Sequence, residues 1–238
     1  MDRIKKVNQV RLLNLNFKST KTFKPINLLK YIIFTEGTMS SAKLYLGDII
    51  GGSIMLRESR IIAELLLLNP DPETWSQKIE NENLLQKNSM QSAKRFASTL
   101  RKRLEPMGDD FLTDLIDADE TLAGQLILLA IMNHSPVIAD FMRTELTDAR
   151  RVFSERLSSD CWQVFYDQRE KIIPELAKFS ESSIQKMGTN VIKILVDTHY
   201  LASSRTKILQ NVYIQPETIA CAEKLGKPEF IEALESGR

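Results

Sequence analysis

Five cations lie close together in NSMQSAKRFASTLRKRLEP, residues 88–106, and no acid occurs there before Glu105. The cations are Lys94, Arg95, Arg101, Lys102 and Arg103. Clustered lysine and arginine favour an anionic partner, above all the phosphates of a nucleic acid. Surface helices usually mix both signs of charge, so an ordinary basic surface helix is the alternative. This segment alone supports both interpretations equally.

Helical periodicity separates these cations from an apolar stripe. The apolar side chains follow the i, i+3, i+4, i+7, i+11 spacing of an amphipathic helix and are Ala93, Phe96, Ala97, Leu100 and Leu104. Arg103 falls at the edge of that stripe. The opposite face carries the first group of predicted DNA-binding residues, Gln91, Lys94, Arg95, Ser98, Arg101 and Lys102. One face is therefore suited to a core and the other to an anion.

A second helix is predicted just before the basic one. Asp71 has the side chain of an N-cap, and Pro72 suits the first helical position. A break at Asn88 and Ser89 then begins the basic helix. The order of helix, short turn and basic helix predicts a helix-turn-helix unit.

Another candidate for DNA contact lies in residues 183–214. A short helix over 183–187, a turn at Gly188, a helix from Thr189 to about Thr198 and a possible β hairpin over 205–214 follow the winged helix-turn-helix order. The residues predicted to face DNA are Lys186, Thr189, Asn190, Lys193, Arg205 and Lys207. A packed helical hairpin with an incidental strand is the alternative.

Catalytic signatures are absent from the sequence. His134 and His199 have no Cys or His at metal-ligand spacing, and no P-loop, GxGxxG or GxSxG motif occurs. GDIIGGS, residues 47–53, lacks the lysine of a P-loop and is better explained as a turn before a helix. The sequence predicts no catalytic residue, no metal and no cofactor.

Capped amphipathic segments recur along the 238 residues, whereas alternating strand patterns are sparse. We predict an all-α, multi-helix globular protein with helix-turn-helix elements and at most a small β hairpin, the wing, near the C-terminus. Residues 1–38 hold eight Lys or Arg against two acids, a net charge of +6, while the remainder carries −5. The predicted units are a basic extension over 1–38, an N-terminal helical domain over 39–134 and a C-terminal helical domain over 135–238.

Cysteine usage and hydropathy indicate the compartment. Cys161 and Cys221 are too few for a disulfide framework, and nothing resembles a secretory signal. The longest apolar run, residues 126–132, is far short of the roughly 20 residues that span a bilayer. A cytoplasmic protein without a membrane span is expected.

Two blocks of sequence resemble a known family. YLGDIIGGSIMLRESRIIAELLL and ENLLQKNSMQSAKRFASTLRKRLE are similar to the BrxA family of BREX bacteriophage-exclusion systems, and the resemblance covers most of residues 43–217. Its most specific part is Gly51-Gly52 followed by the helical residues 57–60. The resemblance implies an all-α, non-enzymatic, DNA-binding component of a prokaryotic defence system with helix-turn-helix elements. It supplies no catalytic motif, and family members are expected to begin near Met39.

The leading hypothesis is binding of double-stranded DNA, mainly through phosphate contacts, with other BREX proteins as further partners. The first alternative is a protein-interaction subunit that docks other defence components. A weaker alternative is RNA binding, because the aromatic residues are few and are not interleaved with the cations.

Overall fold

Helices and short turns make up the structure, a computed structural model that describes residues 41–238. The predicted basic extension, residues 1–38, lies outside the described residues. The helices of the first half are α1 Ser41–Leu46, α2 Leu56–Leu67, α3 Pro72–Ser76, α4 Met90–Leu104, α5 Asp109–Asp117 and α6 Glu120–His134. Those of the second half are α7 Val137–Phe141, α8 Thr147–Arg151, α9 Cys161–Glu170, α10 Glu181–Asp197, α11 Pro216–Lys224 and α12 Pro228–Glu235.

Shorter helical turns connect these elements. The 3₁₀ turns cover Ile49–Gly51, Glu105–Met107 and Pro174–Lys178, while π turns cover Gln77–Asn81 after α3 and Met142–Leu146 after α7. Residues 41–238 contain isolated β-bridges but no sheet. The all-α prediction is therefore confirmed.

Side-chain caps begin several helices where the sequence predicts them. The Asp71 carboxylate accepts from the backbone N–H groups of Glu73 and Thr74, and Pro72 is the first residue of α3. Ser89 Oγ accepts from the N–H of Ser92 and caps α4. Because each cap satisfies an N–H that the helix leaves free, these residues fix the helix starts. The connection between the two helical segments covers residues 82–89 and is longer than the predicted short turn.

The centre of the core is α6, in which every residue from Ala123 to Met132 is buried. The one polar side chain among them, Gln125, donates to the carbonyl of Tyr213 and accepts from the N–H of Gln215 and the hydroxyl of Thr218. A buried amide with these partners carries little desolvation penalty. The hydrogen bond from Thr218 also joins α11 to α6.

A buried polar cluster joins α1, α7 and α9. The hydroxyl of Tyr45 donates to Asp140 over 2.6 Å, and the guanidinium of Arg169 donates to both carboxylate oxygens of Asp140. Burial is the largest cause that raises the pKa of Tyr45 well above its usual range. The cluster joins elements on both sides of residue 134, where the sequence places a domain boundary. That two-domain division stays a prediction.

The predicted turn at Gly188 was wrong. Helix α10 runs without interruption through Gly188. A Cβ at this position would lie 2.5 Å from Cγ of Trp162. Glycine is therefore needed here because the indole ring of Trp162 in α9 packs against the α10 backbone. Since α10 is continuous, the separate short helix predicted over residues 183–187 does not exist.

The possible hairpin over residues 205–214 also does not form. Ile208 makes a single antiparallel bridge with Arg156, and Leu209 makes one with Leu201. Residues 205–214 therefore pair with Arg156 before α9 and with Leu201 after α10, and not with each other. The predicted wing is therefore a short irregular segment.

Among residues 41–238, no single helix is long and apolar enough to cross a membrane. Only α6 taken together with Val137–Arg151 meets that length and composition, and the pair is bent by 106°.

Two glycine substitutions test the packing of α10. Gly188→Ala should destabilise the protein by about 1–3 kcal/mol, because the added methyl group overlaps Trp162. Gly124→Ala is the matched control in α6, where nothing lies within 4 Å of the added Cβ. The control should gain about 0.5–1 kcal/mol from helix propensity. Urea unfolding measures both, and a stabilising Gly188→Ala would contradict the packing explanation.

Candidate nucleic-acid interface

The first group of predicted residues lies on one face of α4, a single helix of 15 residues. The opposite, buried face carries Ala93, Ala97, Leu100 and Leu104. Gln91, Lys94, Arg95, Ser98 and Lys102 are exposed and Arg101 is partly exposed. The structure therefore brings these six side chains together on one accessible surface, hereafter the α4 face.

Acids from neighbouring segments pair with part of the α4 face. Lys94 lies 2.7 Å from Glu80 and Arg101 lies 2.8 Å from Glu105, while Lys102 is 4.0 Å from Asp48. The three cationic side chains remain 38–57% exposed. Exposed pairs of this kind contribute about 0–1 kcal/mol each, so a phosphate can replace the carboxylate at little cost.

Two further cations lie beside the α4 face, and the sequence did not assign them to it. Lys87 pairs with Glu58 over 2.7 Å, and its Nζ lies 4.5 Å from the centroid of the Phe96 ring. The guanidinium of Arg95 lies 4.8 Å from the same ring. Arg57 on α2 donates to Gln86, next to Lys87. The sequence feature that could have identified Arg57 is its position in residues 57–60, within the most specific block of the family resemblance.

Arg103 is not part of the accessible surface. Its side chain is 1% exposed and donates to the backbone carbonyls of Ser53, Gly52 and Asp48 over 2.8, 3.0 and 3.2 Å. Burial lowers the pKa of Arg103 to about 10, which leaves the guanidinium charged at neutral pH. Arg103 therefore holds residues 47–53, hereafter the glycine loop, against α4.

The glycine loop packs closely against α4 and α6, and its residues 47–50 also line a cavity. Thr99 of α4 donates to the Asp48 carboxylate over 2.9 Å, and a Cβ at Gly51 would lie 2.7 Å from the Thr99 side chain. Gly47 has a φ of +54° and meets the backbone of His134 at the end of α6. These contacts explain the glycines by close approach of α4 and α6. They confirm that the loop is a turn with a packing role.

The α10 residues of the second group lie in the middle of the helix. Lys186, Thr189 and Lys193 are exposed. Asn190, however, donates to the carbonyl of Ile49 over 2.9 Å and helps to hold the glycine loop. Lys193 pairs with Asp197 on the same helix. Without a turn at Gly188, these side chains have no helix N-terminus from which to enter a groove.

Arg205 and Lys207 lie on the segment that replaces the predicted wing. Arg205 is exposed. Lys207 has a φ of +51°, and its Nζ donates to the carbonyls of Ser158 and Ser159 just before α9. Lys207 therefore closes a turn. In the second group, Asn190 and Lys207 therefore make structural hydrogen bonds, and the other members are exposed but do not form one surface with a helix N-terminus. The α4 face is the stronger candidate for a nucleic-acid interface.

No three His, Cys, Asp or Glu side chains of residues 41–238 converge as ligands for one metal ion. The histidine closest to the glycine loop, His134, has a pKa lowered first by burial and then by the charge of Arg103. Burial raises the pKa of both thiols, Cys161 and Cys221. A raised pKa keeps both thiols in the protonated form, which is the less nucleophilic one.

The sequence matches known proteins over most of its length. A family model described as BrxA matches residues 43–226. The BREX protein BrxA of Escherichia coli O9:H4 (strain HS) is 42% identical over 196 residues, which cover 82% of this chain and 92% of that protein. The BREX protein BrxA of Paramagnetospirillum magneticum (strain ATCC 700264 / AMB-1) is 35% identical over 176 residues, covering 74% of this chain and 88% of that protein.

A solved structure shares the fold. The crystal structure of an uncharacterized protein from Magnetospirillum magneticum aligns with a TM-score of 0.74 and 32% identity. The alignment covers 80% of this chain and 98% of that chain.

Replacing Arg103 tests its role under the α4 face. Arg103→Met should destabilise the protein by about 2–4 kcal/mol, because three backbone carbonyls of the glycine loop lose their donor. Lys102→Met is the matched control: its exposed side chain has only a 4.0 Å ion pair, so the change should stay within about 0.5 kcal/mol. Denaturant unfolding measures both variants. Equal stabilities would show that the loop does not depend on Arg103.

Proposed function

This chain belongs to the BrxA family, and on that premise we propose that it is a DNA-binding component of a BREX phage-defence system. The observation that carries the proposal is the α4 face, where four accessible cations share one rigid helix surface. Double-stranded DNA offers phosphates on both sides of each groove, and these can take the place of the weakly held carboxylates.

The spacing of the cations supports a duplex. Lys94 and Arg95 are separated from Arg101 and Lys102 by two helical turns, or about 10 Å along the axis. The major groove is roughly 12 Å wide. Each pair of cations can therefore contact a different phosphate strand while α4 lies over the groove.

Such contacts give affinity with limited sequence recognition. In the proposed mode, the exposed uncharged residues of the α4 face, Gln91 and Ser98, contact base edges. Helix-turn-helix geometry is not required for this mode, since phosphate contacts depend on charge and spacing. A cytoplasmic, non-enzymatic role completes the proposal.

A charge-removal variant tests the α4 face directly. Changing four residues together to Gln should weaken binding to a 20-base-pair duplex strongly; the residues are Lys94, Arg95, Arg101 and Lys102. Glutamine retains helix propensity, so the fold should survive. The slope of log K against log salt should flatten by about 3–4, because each phosphate contact contributes about 0.9. Fluorescence anisotropy at several salt concentrations measures both.

The matched control removes the same charge elsewhere. It changes four exposed cations of the second half to Gln, namely Lys171, Lys178, Lys224 and Arg238. This control should retain most of the affinity and the salt slope. Equal loss in both variants would mean that net charge, rather than the α4 face, determines binding. Parental binding by a folded α4 variant would reject the proposed surface.

A further inference from the structure

The α4 face continues onto a neighbouring surface through one aromatic ring. The Nζ atom of Lys87 lies 4.5 Å from the centroid of Phe96, and the guanidinium of Arg95 lies 4.8 Å from the same centroid. Gln86, the residue before Lys87, accepts a hydrogen bond from the guanidinium of Arg57 at the start of α2. The cations of α2 and α4 therefore follow one another in space. We call Arg57, Gln86 and Lys87 the α2 edge.

Arg57 is an accessible cation that makes no ion pair within residues 41–238, and the same is true of Arg95. Lys94, Arg101 and Lys102, by contrast, each lie within 4.0 Å of a carboxylate. A phosphate that meets Arg57 or Arg95 displaces no carboxylate. These two contacts therefore retain more of their free energy than the paired ones.

The acid next to Arg57 in the sequence, Glu58, is neutralised inside the protein. Its carboxylate pairs with Lys87 over 2.7 Å, and the two side chains are only 17% and 20% exposed. Because the pair is largely withdrawn from solvent, the charge of Lys87 offsets that of Glu58 and is not presented to a ligand. Lys87 thereby leaves Arg57 as the accessible positive charge of the α2 edge.

An ordered turn fixes the acceptor of Arg57. The side-chain amide of Asn83 donates to the carbonyl of Lys87 and accepts from its N–H, both over 2.9 Å. The N–H of Gln86 donates to the carbonyl of Asn83 over 2.7 Å, and Gln86 has a φ of +51°. A guanidinium that is already held by a fixed side chain loses less conformational freedom when it binds a phosphate.

The position of the α2 edge matches the path of a DNA strand. In the proposed duplex mode, Lys94 and Arg95 contact one strand, and the α2 edge lies beside Arg95. One strand carries a charge about every 3.4 Å of the helix axis, so further phosphates follow the one at Arg95. The planar fork of arginine suits phosphate oxygens.

We infer that Arg57 is a phosphate contact on a second helix, so that the DNA interface spans α4 and the start of α2. The inference rests on the proposed function and adds a contact outside the helix that carries it. Since a phosphate has no sequence information, Arg57 adds affinity without sequence preference.

The test measures the full chain by fluorescence anisotropy on 20-base-pair duplexes of two unrelated sequences at several salt concentrations. Arg57→Gln should weaken binding to both duplexes equally, by about three- to tenfold. The slope of log K against log salt should flatten by about 0.9. Arg57→Lys keeps the charge and should keep the slope. The unfolding midpoints of both variants should match that of the parent, because the side chain is exposed.

Two controls separate charge from structure. Gln86→Gly removes the acceptor of Arg57 but keeps the charge, and glycine suits the φ of +51°. This variant should keep the parental salt slope. Lys171→Gln removes one exposed positive charge after α9 and should leave the duplex affinity within about twofold of the parent.

The results distinguish this inference from the proposed function. Parental affinity and slope in Arg57→Gln, with binding lost in the four-residue α4 variant, would overturn the inference and leave the proposed function standing. An equal loss of slope in Gln86→Gly would show that Arg57 acts through its hydrogen bond, and an equal loss in Lys171→Gln would assign the effect to net charge. A parent protein that binds no duplex would reject the proposed function, and the inference with it.

Discussion

The buried guanidinium of Arg103 determines how the basic helix is attached to the rest of the molecule. Its three hydrogen bonds go to backbone carbonyls of the glycine loop, so the loop must stay close to α4. Asn190 of α10 and the end of α6 hold the same loop from other sides. Since a buried cation without these acceptors would be very costly, α4 stays packed against the glycine loop.

The α4 face illustrates how a cationic surface can be moderated by its neighbours. Glu80, Glu105 and Asp48 each lie within 4.0 Å of one of its cations. A phosphate that binds there exchanges one anionic partner for another, so the net gain per contact is smaller than for an unpaired cation. Under the proposed function, the carboxylates would favour a partner with many closely spaced phosphates over an isolated anion.

Local features of the fold were predictable, whereas long-range features were not. Asp71, Ser89 and the apolar stripe of α4 follow from residues a few positions apart, and the structure confirms them. Gly188 was interpreted as a turn because glycine often interrupts a helix, and its packing against Trp162 of another helix is not visible in the sequence. Helical periodicity placed Arg103 at the edge of the stripe, but it could not show that the side chain is buried, because its acceptors lie about fifty residues earlier in the chain. Periodicity cannot identify partners that only tertiary packing brings together.

The two tryptophans occupy chemically different surroundings. Trp75 is partly exposed and stacks with the guanidinium of Arg101, whose carbon lies 4.6 Å from the ring centroid. Trp162 is buried beside Phe141 and Phe165 and donates its indole N–H to the carbonyl of Ile184. Since the chain has only these two, its intrinsic fluorescence combines one emitter at the basic surface with one in the interior. Replacing either by phenylalanine leaves a single-site optical reporter that needs no attached dye.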